Sequence, residues 1–121
     1  MKLLDMSDAE IKDFADPIRQ DVIDGSNNKD WELHSRNLPL RIIKDEDIQR
    51  DVEKQWRDDE SASSPRTSLA RESEYLGVVR KNDIVAVLWK QTSTLSNDEY
   101  LLKILLKELD GEIKQAGALL D

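Results

Sequence analysis

His34 is the only histidine in the chain. It is also the side chain whose ordinary pKa best suits general acid–base work near neutral pH. A general base needs a partner within hydrogen-bond reach, and the sequence alone sets no acid beside His34. The plainer reading, a polar position on a short helix, is preferred. Trp31, Trp56 and Trp89, with Tyr75 and Tyr100, hold most of the aromatic area. Such rings wall apolar pockets, and they fill cores and subunit contacts just as readily. The residues carried forward as pocket candidates are Trp31, His34, Trp56, Tyr75 and Trp89. The acidic groups Asp45-Glu46-Asp47 and Asp58-Asp59-Glu60 lack the glycine-assisted spacing with which a loop wraps a hard cation. They read as solvated charge. Cysteine is absent and there are four scattered glycines, so thiolate chemistry and a glycine-rich phosphate cradle are both excluded. No catalytic residue, metal site or cofactor is assigned.

The 121 residues suit one domain, 1–121, with enough chain to bury a core. Net charge is −8, which opposes binding to a phosphate backbone; no nucleic-acid partner is expected. No apolar run is long enough to span a bilayer, and the start "MKLLDMSDAE" is too short in apolar residues for a signal peptide. A soluble protein of a reducing compartment, the cytoplasm, is expected. Charged residues make up 36% and mean hydropathy is −0.66. Disorder is nonetheless rejected, because the apolar residues are patterned.

Residues 8–57 read as helical. Ser7 and Glu10 form a capping box, followed by Ile11, Phe14, Ala15, Ile18, Val22 and Ile23 at helical spacing. Pro17 marks either a kink or a fresh start, and "GSNN" from Gly25 predicts the end. Asp30 is expected to cap a second helix, stopped by Pro39. Leu38, Leu40, Ile42 and Ile43 suggest a short strand. Asp45 opens a third helix with Ile48, Val52 and Trp56 on one stripe. Residues 58–70 are expected as loop. Residues 74–121 are β-rich, with a hairpin pairing 74–81 with 84–94 about "KND" and another turn at "LSND".

The last 21 residues, "LLKILLKELDGEIKQAGALLD", could form one amphipathic helix or a hairpin. Glycines at 111 and 117 disfavour the helix by about 1 kcal/mol each. In a hairpin with a two-residue Asp110-Gly111 turn, Lys107 opposes Lys114, an unfavourable pair. A three-residue turn instead sets Leu109 against Ile113, Leu106 against Ala116, Ile104 against Ala118 and Leu102 against Leu120. That register is the expectation. Helices followed by consecutive strands define an α+β domain, helices packed on one face of an antiparallel sheet of about four strands.

Three segments, "VIDGSNNKDWELHSRNLP", "EYLGVVRKNDIVAVLWKQT" and the C-terminal hairpin, resemble the nuclear transport factor 2-like (cystatin-like, cone-shaped) superfamily over residues 8–121. They are most similar to small bacterial members of uncharacterised function. The resemblance implies a curved sheet folded around a helix, a cavity within the cone, and frequently a homodimer through the sheet. The catalytic constellations of the superfamily's ketosteroid isomerases, limonene epoxide hydrolases and scytalone dehydratases find no matching positions here.

The expectation is therefore a non-enzymatic homodimer with room for a small apolar or amphipathic ligand. The alternative is a small-molecule isomerase, dehydratase or hydrolase acting within the cone. One sheet face lies against the helices and the other needs a partner. Leu101, Leu105, Leu109, Ile113 and Leu119 are the candidates for that face.

Overall fold

The structure is a computed structural model. It describes the backbone of residues 2–62 and 68–121, and the side chains of residues 2–58 and 68–121. After a short 3-10 turn, α1 spans Asp8–Asn28, α2 Trp31–Ser35, α3 Leu40–Ile43 and α4 Glu46–Ala62. Four strands follow, β1 Leu69–Lys81, β2 Ile84–Ser93, β3 Glu99–Leu109 and β4 Glu112–Leu120. They form one antiparallel meander in the order β1-β2-β3-β4. The class is α+β.

The capping box at Ser7 is present. Pro17 lies inside one continuous helix. Its missing N–H would have addressed the carbonyl of Asp13, which lies on the exposed side, where water can serve it. Gly25 does not end α1. The helix runs on to Asn28, and Lys29 closes it in the left-handed conformation at φ 54°. Residues 40–43 make a helical turn, not a strand, because Pro39 presents its carbonyl to Ile42 and Ile43 N–H. Asp45 caps α4 by accepting from Asp47 and Ile48 N–H. The expected loop 58–70 is shorter than predicted, since α4 reaches Ala62 and β1 begins at Leu69; its middle, 63–67, lies outside the described residues.

The first stretch of β1 has no alternating pattern, and side chains from other elements hold it. Asn27 meets both the carbonyl and the N–H of Leu69, at 2.7 and 2.9 Å. Gln91 donates to the Ala70 carbonyl at 2.6 Å. Arg19 donates to the Arg71 carbonyl and the Ser73 hydroxyl, each at 3.0 Å. Gln91 and Arg19 are buried, and these bonds answer for their burial. A second irregularity between Tyr75 and Gly77 bends the strand, as bulges do.

α1 lies on the inner sheet face. Ile11, Ala15, Ile18, Val22 and Ile23 pack with Val85, Val87, Trp89, Leu102, Ile104 and Leu106. The strict alternation of β2 and β3, buried at every second residue, is the sign of a sheet with one covered face.

The C-terminal hairpin differs from expectation at its turn. Leu109 pairs with Glu112, Glu108 with Ile113, and Lys107 with Lys114. The turn has two residues, Asp110 at φ 53° and Gly111 at φ 80°, as a twisted hairpin prefers. The extra residue sits further along, where the register shifts between Leu105 and Leu106. Beyond it, Ile104 pairs with Ala118 and Leu102 with Leu120, as predicted. The opposed lysines are tolerated because each has a carboxylate: Lys107 meets Asp83 at 3.3 Å and Lys114 meets Glu112 at 3.5 Å. A Gly111→Val variant should lose about 1–2 kcal/mol, the cost of the left-handed conformation for a residue with a Cβ. Gly111→Asn should retain most of the stability, since asparagine tolerates that region. Chemical denaturation reads both; equal midpoints for parent and valine variant would refute the turn geometry.

Candidate functional site

A cavity of about 200 Å³ lies between the helices and one end of the sheet. α1 supplies Val22 and Ser26, and α2 supplies His34. The α4 wall is Val52, Gln55 and Trp56, and the sheet wall is Leu69, Leu102 and residues 118–120. Among the described lining residues only His34 titrates near neutral pH.

Local structure fixes His34 tightly. α2 crosses α1 at Gly25, where a Cβ would stand 2.6 Å from the His34 N, Cα and Cβ. A hydrogen there lets the helices touch. The imidazole then meets the Ser26 hydroxyl, with Nδ1 at 3.3 Å. Its ring stands at right angles to Trp56 with centroids 5.2 Å apart, and tilts against Trp31 at 6.2 Å. His34 thus joins three helices through packing. Burial pushes its pKa below the ordinary 6.5, and the Val22 carbonyl opposes this in part.

The sign of the resulting pH dependence follows directly. The unfolded chain takes up the proton near 6.5 and the folded chain resists it, so the unfolded state binds more protons between the two values. Stability from His34 is complete above about 6.5 and declines as pH falls through the folded value. Asp21, held low chiefly by Arg36 despite its burial, acts only in more acidic solution. Melting midpoints should therefore fall between pH 7 and pH 5 (roughly the histidine window), and His34→Gln should flatten that slope. An unchanged slope in the variant would assign the effect elsewhere.

Of the five pocket candidates, His34 and Trp56 line this cavity. Trp31 is buried beside His34 without lining it. Tyr75 and Trp89 lie apart, edge to face at 6.2 Å. Trp89 belongs to the core, with the Arg19 guanidinium 5.6 Å from its ring centre. Sequence reasoning missed Ser26, Leu69 and residues 118–120 as lining. Val52 was legible as the neighbour of Trp56 on one stripe, whereas the sheet contributions needed the register.

The outer sheet face carries no helix. Its rows follow the pairing: Val79, Ala86, Leu105 and Gly117 in one, then Gly77, Leu88, Lys103 and Leu119 in the next. Leu101 and Leu109 extend the same face along β3. Leu76, Val79 and Leu119 are exposed at 53, 50 and 48%. Ile113 is corrected: it pairs with Glu108 and packs on the helix-side core, because the two-residue turn shifts its side chain to the inner face. Of the outer-face lysines, Lys90, Lys103, Lys107 and Lys114 are partnered, and Lys81, opposite Ile84 at the end of the sheet, is exposed to solvent. Lys90 meets Glu74 and Glu99, each at 2.9 Å, and Lys103 meets Asp121 at 3.1 Å. Glu99 and Glu74 hold the Lys90 pKa well above its ordinary value.

Among the described residues, no helix is long and apolar enough to cross a membrane. No three of His, Cys, Asp and Glu group closely enough there to hold a metal ion. Comparison with protein-family models, curated proteins and solved structures finds no match.

Proposed function

We propose that this chain is a non-enzymatic, cytoplasmic assembly domain of the nuclear transport factor 2-like cone type, which forms a homodimer through the outer face of its sheet. The observation that carries this reading is the apolar middle of that face, with four of its lysines held in ion pairs. Val79, Ala86, Leu88, Leu105 and Leu119 form its middle, and carboxylates of the strands, of the β1–β2 turn and of Asp121 match Lys90, Lys103, Lys107 and Lys114. A chain of net charge −8 repels its own copies over most of its surface, and this face is where repulsion is least. Two such faces pack at about 10 Å, as in a β-sandwich.

The cavity supports a secondary role, holding a small apolar molecule. Its volume of about 200 Å³ lies below the roughly 300–1,000 Å³ of sites for drug-sized ligands. An enzymatic reading requires at least two converging ionisable groups, and the described walls offer His34. Sedimentation equilibrium tests the main reading. A mass twice the 13.9 kDa of the chain is expected; a single-chain mass at every concentration would refute it.

A further inference from the structure

The sheet order leaves β4 with a free edge. Leu101 and Asp121 exchange both backbone hydrogen bonds, each at 2.9 Å. Antiparallel pairs alternate between bonded and non-bonded. Leu120, opposite Leu102, and Ala118, opposite Ile104, therefore turn their N–H and C=O groups away from β3. The same edge already takes a backbone partner further along, where Gln115 N–H donates to the Asn37 carbonyl at 3.0 Å. Among the described residues, nothing meets the outward groups of Ala118 and Leu120. Beyond the bulge at Ala116, residues 117–120, "GALL", contain no charge or proline, devices that protect an edge. This unprotected stretch borders the cavity, with Val52 and Trp56 of α4 opposite.

We infer that the β4 edge at Ala118 and Leu120 takes an extended peptide segment as an added strand, with one apolar side chain of that segment seated in the cavity against Val52 and Trp56. An extended occupant is required because only a strand presents donors and acceptors at the roughly 7 Å repeat of alternate residues. Its flanks are cationic. Over residues 46–58, α4 carries five carboxylates against three cations, so its wall attracts lysine and arginine. The inference rests on the cavity described above and not on the subunit contact.

The test is an NMR titration of the full chain with acetyl-Lys-Val-Leu-Val-Lys-amide. Saturable shifts are expected at the Ala118 and Leu120 amides and the Trp56 indole. Backbone N-methylation of the peptide on its bonding edge, or glutamate in place of its lysines, should weaken binding about tenfold or more, the scale of one lost charge-assisted or backbone bond. Val52→Arg should abolish binding while the chain remains folded, because Val52 is only partly buried. The inference is overturned by absence of saturable shifts up to about 1 mM. It is equally overturned by equal binding of peptides N-methylated on either edge, or by shifts confined to Leu88 and Leu105. A small alcohol that shifts Trp56 but not the Ala118 and Leu120 amides, in a protein indifferent to the peptide, would overturn the added strand and leave the small-ligand cavity standing.

Discussion

Gly25→Ala should lower the melting midpoint by roughly 8 °C, the largest stability effect expected of any single methyl group in this chain. Two terms oppose one another. Alanine favours a helix interior over glycine by about 1 kcal/mol. Against that, the new Cβ would lie 2.6 Å from three atoms of His34, two of them backbone. A backbone cannot swing aside as a flexible side chain can, so α2 must move as a unit. Overpacking of this kind costs up to about 3 kcal/mol, which leaves a net loss of about 2 kcal/mol. Gly117→Ala is the matched control. There the Cβ would meet Leu105 Cδ1 at 3.7 Å, an ordinary contact, and alanine is favoured over glycine in a strand by about 0.5–1 kcal/mol. The two substitutions should move the midpoint in opposite directions. A Gly25→Ala protein that melts with the parent would show that α1 and α2 do not touch as described.

The same displacement should loosen His34 from Trp56 and so reduce the pH dependence that His34 confers. The effect links the helix crossing to the cavity wall. α4 rests on the rest of the molecule largely through Trp56, the one buried residue among its described side chains. Moving His34 therefore moves the surface on which α4 sits. Stability and cavity shape are read from one glycine.

How Gly25 appears in the sequence explains what was legible there. "GSNN" looks like a helix end because glycine and asparagine tolerate the left-handed conformation. The real cap is Lys29, one residue past that run, and Gly25 serves close packing instead. Only the position of α2 separates these two uses of glycine. The alternating strands β2 and β3 were legible, because period-two burial leaves a direct mark in the sequence. Residues 69–73 were not, since Asn27, Arg19 and Gln91 hold them from distant elements. The C-terminal hairpin shows both outcomes within one element. Its far half was read in the correct register from the pairing of Leu102 with Leu120. The extra residue was placed at the turn, where like charges seemed to demand it, but Asp83 from the neighbouring turn relieves Lys107 and lets the bulge form at Ala116. That relief depends on the pairing of β2 with β3 and could not be seen from the hairpin alone. For the candidate site, the two helical aromatics were identified, and the outward edge of β4 appeared only once hydrogen-bond alternation was fixed.

Leu105→Asp should convert a dimer to single chains at concentrations where the parent remains paired. Leu105 lies in the central apolar row of the outer face, between Ala86 and Gly117. In a lone chain it is partly exposed, so an aspartate there keeps contact with water and the fold survives with a loss of about 1 kcal/mol in strand preference. Pairing through this face would bring the two copies of the carboxylate towards each other in an apolar setting. Burying an unpaired charge costs several kcal/mol, and about 3 kcal/mol already weakens association more than a hundredfold. The nearest cations do not rescue it, because Lys103 and Lys107 are engaged by Asp121 and Asp83. Ile113→Asp makes the opposite case. That residue packs on the inner core, so its variant should lose folding stability and not merely association. Circular dichroism with sedimentation separates the two failures. A Leu105→Asp protein that sediments as a pair, with the parent's strength, would remove the outer face as the subunit contact.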